Sequence, residues 1–398
     1  MMRTRWQRGW SVGALVVALA VVALAGRSLL RTDAGPLPDE LSNAEFWDLV
    51  ESFSEPSGYF QSENLVSNEH TYQYVVPALE AKAQRESTGP GGPSRVYLGV
   101  APDQNFTYLL ALKPQMAFIV DIRRGNLQTQ LMYKALIELS ADRVEFVSRL
   151  FARPRPANVS ASVSVDDLFV GVALQRSDPE LQAVTLEEML THLTVTRGFR
   201  LAEEDQLGIE AIYEQFVRFG PSLTYSSRPG GGFGRLGGRR GRGFSNFPSY
   251  ADLMRQEDGQ GVQRSYLASD AQYQALKALE ERNLIVPVVG DFAGDKALRE
   301  VGRYVREHGA TVTAFYASNV EQYLFRNDVW RAFYDNLATL PVDDESVIIR
   351  SVSPRDGYLG IPQGPDGRAN VLDPIAALVR DYRASKIATY YDVTSRVH

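Results

Sequence analysis

Short apolar runs bounded by turn residues recur along this chain, and between them apolar positions fall at helical spacing. Arg95-Val96-Tyr97-Leu98-Gly99-Val100 and Met116-Ala117-Phe118-Ile119-Val120-Asp121 are the first two runs, and β-branched and aromatic residues between turn signals predict buried strands. Leu127, Leu131, Ala135, Leu136 and Leu139 then repeat with helical period, with a break near Ser140-Ala141-Asp142 and a stop at Pro154 and Pro156. Regularity returns after Asn283, where 284–289, 311–316, 346–350 and 388–393 predict strands and 295–308, 329–337 and 372–384 predict helices. Asp295 is the expected N-cap of the helix over 295–308. Strands alternating with helices long enough for crossovers predict an α/β fold with a doubly wound, mostly parallel sheet.

Five segments follow from this pattern. Residues 1–31 carry Arg3, Arg5 and Arg8, then the charge-free stretch from Gly9 to Gly26, then Arg27 and Arg31. A basic flank before an apolar stretch predicts a signal peptide or a membrane anchor, with the rest of the chain exported to the periplasm or beyond. Residues 32–94 form a linker and helical leader, opening with Ser42 and Glu45 in capping-box spacing and ending in a Gly/Pro linker, 89–93. Residues 95–156 and 283–398 are the two halves of the α/β domain. Between them, 157–282 is a helical insertion with a Gly/Arg-rich loop, 228–243, that holds five arginines and no acid.

Composition narrows the chemistry. The net charge of −6 argues against a general nucleic-acid binder, which needs a broad basic face. The absence of cysteine excludes disulfides, thiolate metal sites and cysteine nucleophiles. The four histidines are too far apart in sequence for a local metal motif, and no metal ligands are assigned. Gly232-Phe233-Gly234-Arg235-Leu236-Gly237 matches the letters of a dinucleotide loop, but no strand precedes it, so that reading fails on context.

In an open parallel sheet, ligands bind beyond the carboxyl ends of the strands, near the reversal of strand order. Polar residues follow the apolar runs at four such ends: 99–105, 121–124, 290–295 and 318–321. They predict a pocket for a small-molecule ligand formed by Gly99, Asp103, Asn105, Asp121, Asp291 and Asn319. On Val96-Tyr97-Leu98-Gly99-Val100-Ala101-Pro102-Asp103 and on Asp121 after its strand, the chain resembles the class I S-adenosylmethionine-dependent methyltransferases. The aromatic leader Gly58-Tyr59-Phe60-Gln61-Ser62 is similar to the segment that folds over the cofactor in some of them. The chain is also similar to a group of bacterial proteins sharing Gly290-Asp291-Phe292-Ala293-Gly294 and Ser318-Asn319-Val320-Glu321-Gln322-Tyr323-Leu324.

The methyltransferase resemblance implies S-adenosylmethionine as cofactor. It implies that Asp121 binds the ribose, that the Gly99 loop receives the methionine part with Asp103, Asn105 and Asp291 in the cofactor site, and that Asn319 or Glu321 orients the acceptor. Two further readings stand beside the transferase. One is a non-catalytic envelope binding or scaffold protein that kept the sheet and lost the cofactor. The other is a hydrolase or metal-dependent enzyme using Glu55, Glu63, Asn64, Glu69 and His70 as acid–base groups or oxygen ligands.

Overall fold

The computed structural model describes residues 35–60, 62–87, 94–227, 247–353 and 362–395. The basic and apolar segment over 1–31, the linker 89–93, Gln61 and the Gly/Arg-rich loop with its GxGxxG letters lie outside the described residues. Among the described residues no helix is long and apolar enough to cross a membrane.

Six strands form one sheet: β1 (Arg95–Gly99), β2 (Met116–Asp121), β3 (Ile285–Val289), β4 (Thr311–Ser318), β5 (Val347–Val352) and β6 (Ala369–Pro374). Their order is β3-β2-β1-β4-β5-β6. The first five are mutually parallel, and β6 runs antiparallel to β5. This is the order of the doubly wound nucleotide-binding sheets, with the reversal between β1 and β4. β2 and β3 are buried along their whole length, as parallel strands covered on both faces require. Pro287 is tolerated within β3 because that strand lies at the sheet edge.

The leader closes that edge. Helix α1 (Asn43–Phe53) starts at the Ser42/Glu45 capping box and packs along β3. Beyond it, the Glu55 amide donates to the Val289 carbonyl (2.8 Å) and the Val289 amide to Ser54 Oγ (3.0 Å). Helix α2 (Val76–Ser87) leads into β1, and α3 (Gln104–Leu112) follows it. The helical segment after β2 divides as its pattern predicts, into α4 (Arg124–Leu139) and α5 (Arg143–Leu150), with Asp142 Oδ1 capping Val144 and Glu145. Helices α6 (Val165–Ala173), α7 (Pro179–Thr191), α8 (Glu203–Phe219), α9 (Tyr250–Arg255) and α10 (Asp270–Glu281) come before β3. Arg124 clamps α8 to the start of α4 through both oxygens of Asp205, each at 2.6 Å.

Three expectations in the second half need correction. Helix α11 (Ala297–Glu307) is not capped by Asp295, whose side chain is exposed; Glu55 Oε1 from the leader accepts the Lys296 (3.1 Å) and Ala297 (2.6 Å) amides instead. The segment over 372–384 is not helical throughout. β6 continues to Pro374, and α14 (Ile375–Arg383) begins only there. Residues 388–393 do not form a closing strand. Thr389 and Asp392 make a reciprocal capping box that starts α15 (Tyr390–Thr394).

Between these, α12 (Val320–Arg326) and α13 (Trp330–Leu337) follow β4. Arg350 lies on β5, fully buried, and its charge is met by Glu321 at the start of α12 and by Asp373 on β6 (2.8 Å). Tyr334 donates to Glu321 Oε1 at 2.7 Å, completing the network. Removing one partner from a buried ion network leaves an uncompensated charge, which costs far more than the network itself contributes. Arg350→Met is therefore expected to lower unfolding stability by about 3–5 kcal/mol in urea titrations. Adding Glu321→Gln and Asp373→Asn to it should recover more than half of that loss, and no recovery would refute this account of β6 anchoring.

Candidate functional site

Four strand tips and the leader enclose one cavity. Val100 and Ala101 come from the end of β1, Asp121 and Arg123 from β2, Asp291 and Phe292 from β3, and Ser318 and Asn319 from β4. Phe60 and Asn64 of the leader form the roof, and Tyr323 on α12 meets the Phe60 ring edge-on at 5.1 Å. The space measures about 160 Å³ and opens to solvent. It sits beside the β1/β4 reversal, where an open α/β sheet leaves a crevice.

The roof is held in place by a close backbone approach. The Gly58 amide donates to the Ile122 carbonyl at 2.8 Å, and a Cβ on Gly58 would lie 2.4 Å from the Ile122 side chain. Ser57 Oγ accepts the Arg124 amide at 3.0 Å. A glycine followed by two aromatic residues therefore crosses the strand tips with its rings toward the cavity mouth.

Three left-handed residues stand at the same walls. Asn64 (φ 47°), Ala101 (φ 64°) and Ser318 (φ 51°) all adopt the left-handed conformation and all line the cavity. Such backbone costs a non-glycine residue about 1–2 kcal/mol, and it collects where function constrains the chain. At β4 the register also slips between Tyr316 and Ser318, a bulge of the kind that re-aims side chains near sites.

The predicted site residues separate into two groups. Asp121, Asp291 and Asn319 line the cavity together. Asp121 is oriented by its neighbour, with Oδ1 accepting the Arg123 amide at 2.9 Å and Oδ2 the Arg123 guanidinium at 3.3 Å. Asp291 Oδ1 accepts the Ala293 amide at 2.9 Å, which shapes the turn after β3.

Gly99, Asp103, Asn105 and Glu321 do not line this cavity, and each for a physical reason. Glu321 neutralises Arg350, so it is not free to orient an acceptor. Asn105 turns back into its own loop. Its amide nitrogen donates to the Val100 (2.9 Å) and Pro102 (2.6 Å) carbonyls, and its Oδ1 accepts the Tyr97 hydroxyl at 2.8 Å. That side chain fills the space over Gly99, where a Cβ would lie 1.9 Å from Asn105 Oδ1. The glycine thus makes room for a side chain rather than for a ligand.

Asp103 points away from the sheet edge into a cage of tyrosines. Tyr266 donates to its Oδ2 at 3.0 Å and shares a 2.6 Å hydrogen bond with Tyr250. Burial pushes the Asp103 carboxyl up to about 7, partly offset by the Tyr266 hydrogen bond.

Of the leader groups proposed for acid–base work, Glu55 caps α11 and Glu63 is exposed. Glu69 is buried, and a second, smaller cavity of about 40 Å³ reaches it. Its Oε1 accepts Tyr316 (2.9 Å) and Ser318 (2.5 Å) hydroxyls, and its Oε2 accepts Gln104 (3.0 Å) and Asn370 (2.5 Å) amides. Among the described residues no group of three or more His, Asp or Glu side chains is placed to hold a metal ion.

The model of a domain of unknown function (DUF7790) matches residues 64–164 and 244–372, more than half of the chain. The chain belongs to this family. No curated protein matches it. The two DUF7790 blocks contain β1 to β5 and every cavity residue named above except Phe60. The stretch between them, 165–243, includes α6, α7 and α8, so the family pattern follows the strand tips and skips most of the inserted helices.

The position of Asp103 sets a pH dependence. The unfolded chain releases this proton in the ordinary carboxylate range, whereas the folded protein keeps it up to about 7. The associated stability is fully present at low pH and is lost as pH rises toward and past 7. Asp103→Asn is expected to lose less stability than the parent between pH 5 and pH 8, by about 2–3 kcal/mol. Urea midpoints at the two pH values test this, and an unchanged difference between them would place the titration elsewhere.

Proposed function

We propose that this chain is an exported or membrane-tethered ligand-binding protein, built on a methyltransferase-like sheet, that takes a nucleoside-sized ligand without transferring a methyl group. The observation that carries this reading is Asn105, which closes the space over Gly99 while the cavity between Asp121, Asp291 and Asn319 stays open. Strand order supports the nucleotide-binding side of it, since the sheet runs β3-β2-β1-β4-β5-β6 with the cavity at the reversal.

The lining suits a hydroxylated ring compound. Asp121 offers an oriented carboxylate to hydroxyl protons, Asp291 another to an exocyclic amine, and Phe60, Phe292 and Tyr323 supply ring faces and edges. Cavities of about 150 Å³ accept a benzene-sized ring, and a space of about 160 Å³ with an open mouth takes one ring fully and a second in part. The outward address rests on the basic flank and the apolar stretch from Gly9 to Gly26. Cytosolic S-adenosylmethionine would be scarce there, which favours a binder over a transferase.

Calorimetry on the purified protein with adenosine, S-adenosylmethionine and S-adenosylhomocysteine separates the readings. Adenosine is expected to bind, and the two methionine-bearing compounds no more tightly. Asp121→Asn should weaken adenosine by about tenfold, the size of a hydrogen bond to a charged group. Tenfold tighter binding of either methionine-bearing compound would restore the transferase. No heat from any of the three would remove the nucleoside reading.

A further inference from the structure

The small cavity beside the main one has an imbalance of hydrogen-bonding groups. Glu69 is 2% exposed and Gln104 1% exposed, and both line this space with Asn64 and Ser318. Among the described residues four groups donate to the Glu69 carboxylate, and all four are neutral: two hydroxyls and two amides. They solvate the charge without cancelling it. Two acceptors at the same cavity, Gln104 Oε1 and Asn64 Oδ1, are buried and have no hydrogen-bond partner among the described residues. Phe60 and Tyr225 add aromatic rings to the wall.

A surplus of acceptors, one formal negative charge and ring faces together specify a ligand that brings donors and positive charge. A water molecule supplies at most two protons and no charge. A primary ammonium supplies three donors and the missing charge, is stabilised by aromatic faces, and is small enough for about 40 Å³. The site also adjoins the main cavity, since Phe60, Asn64, Ala101, Ser318 and Asn319 line both.

We propose that this side cavity receives the primary ammonium group of the protein's ligand, whose ring lies in the main cavity. The ligand class is then an amine-bearing ring compound without a neighbouring carboxylate, such as an aminonucleoside or amino sugar; the α-carboxylate beside the ammonium of S-adenosylmethionine and S-adenosylhomocysteine would be repelled by Glu69 and its unpaired acceptor neighbours. The ring's place rests on the nucleoside reading above, whereas the ammonium site rests on Glu69, Gln104 and Asn64 alone. Ser318 is a positioning residue, holding Glu69 Oε1 from the strained tip of β4.

Two experiments on the full chain keep the two claims apart. Calorimetry compares adenosine with 5′-amino-5′-deoxyadenosine at pH 7, and thermal melting compares methylammonium chloride with sodium chloride at equal concentration. The amine is expected to bind at least about tenfold more tightly than adenosine, the value of one charge-assisted contact, and methylammonium to raise the melting temperature above the sodium control. Glu69→Gln should abolish both differences. Should that variant fail to fold, Asn64→Gly removes one acceptor, relieves a left-handed residue, and is expected to reduce both differences. Equal binding of adenosine and its amine, with no methylammonium effect, overturns the ammonium site and leaves the nucleoside reading intact. If neither nucleoside binds, the melting arm alone decides: a rise that Glu69→Gln removes supports the site, and no rise over sodium overturns it.

Discussion

Everything at the cavity depends on five parallel strands that release their polar ends at one rim. β1 and β4 are neighbours in space but separated in sequence by β2, β3 and all the inserted helices. The chain builds outward from β1 in one direction and then returns to build in the other, so the connections leave a crevice at the centre. Residues at the ends of β1 to β4 meet there without any local motif linking them. The leader then crosses the rim, tied by Gly58 to Ile122 and by Glu55 to the start of α11. Without the parallel alignment, Asp121, Asp291 and Asn319 would have no shared space.

How much of this was legible in the sequence follows from what kind of signal each element carries. β1 to β5 announce themselves because strands buried on both faces are continuous apolar runs. β6 does not: it is an antiparallel edge strand, ends in Pro374, and merges into the apolar positions of α14. Residues 388–393 look strand-like in their side chains, yet Thr389 and Asp392 stand at capping-box spacing, a signal that outranks β propensity for so short a segment. At the site, strand-end position identified the rim but not the direction of each side chain. A lone glycine after β1 reads alike whether it admits a ligand or makes room for Asn105. Glu321 had a clearer clue, since Arg350 within an apolar strand demands a carboxylate partner somewhere in the fold. Glu69 lay in the leader, and nothing local shows that a chain folded over the sheet would bury it beside β4.

Two buried carboxylates near the end of β4 show how the protein distributes charge. Glu321, at the first turn of α12, is matched by Arg350, which Asp373 also holds, so the network closes on itself. Glu69 meets the tip of the same strand through Ser318, is reached by a cavity, and takes only neutral donors among the described residues. Burying a charge without a partner is among the more expensive arrangements a fold can hold. Neutral donors reduce that cost and leave the field of the carboxylate directed into the open space. The strained residues Asn64, Ala101 and Ser318 around it add to the expense. Stability surrendered at adjoining positions is the pattern of a site kept for a ligand. The donors that meet it among the described residues carry no charge, so the ammonium proposed above would repay that expense, and this requirement narrows the ligand's head group more than the shape of the larger cavity narrows its ring.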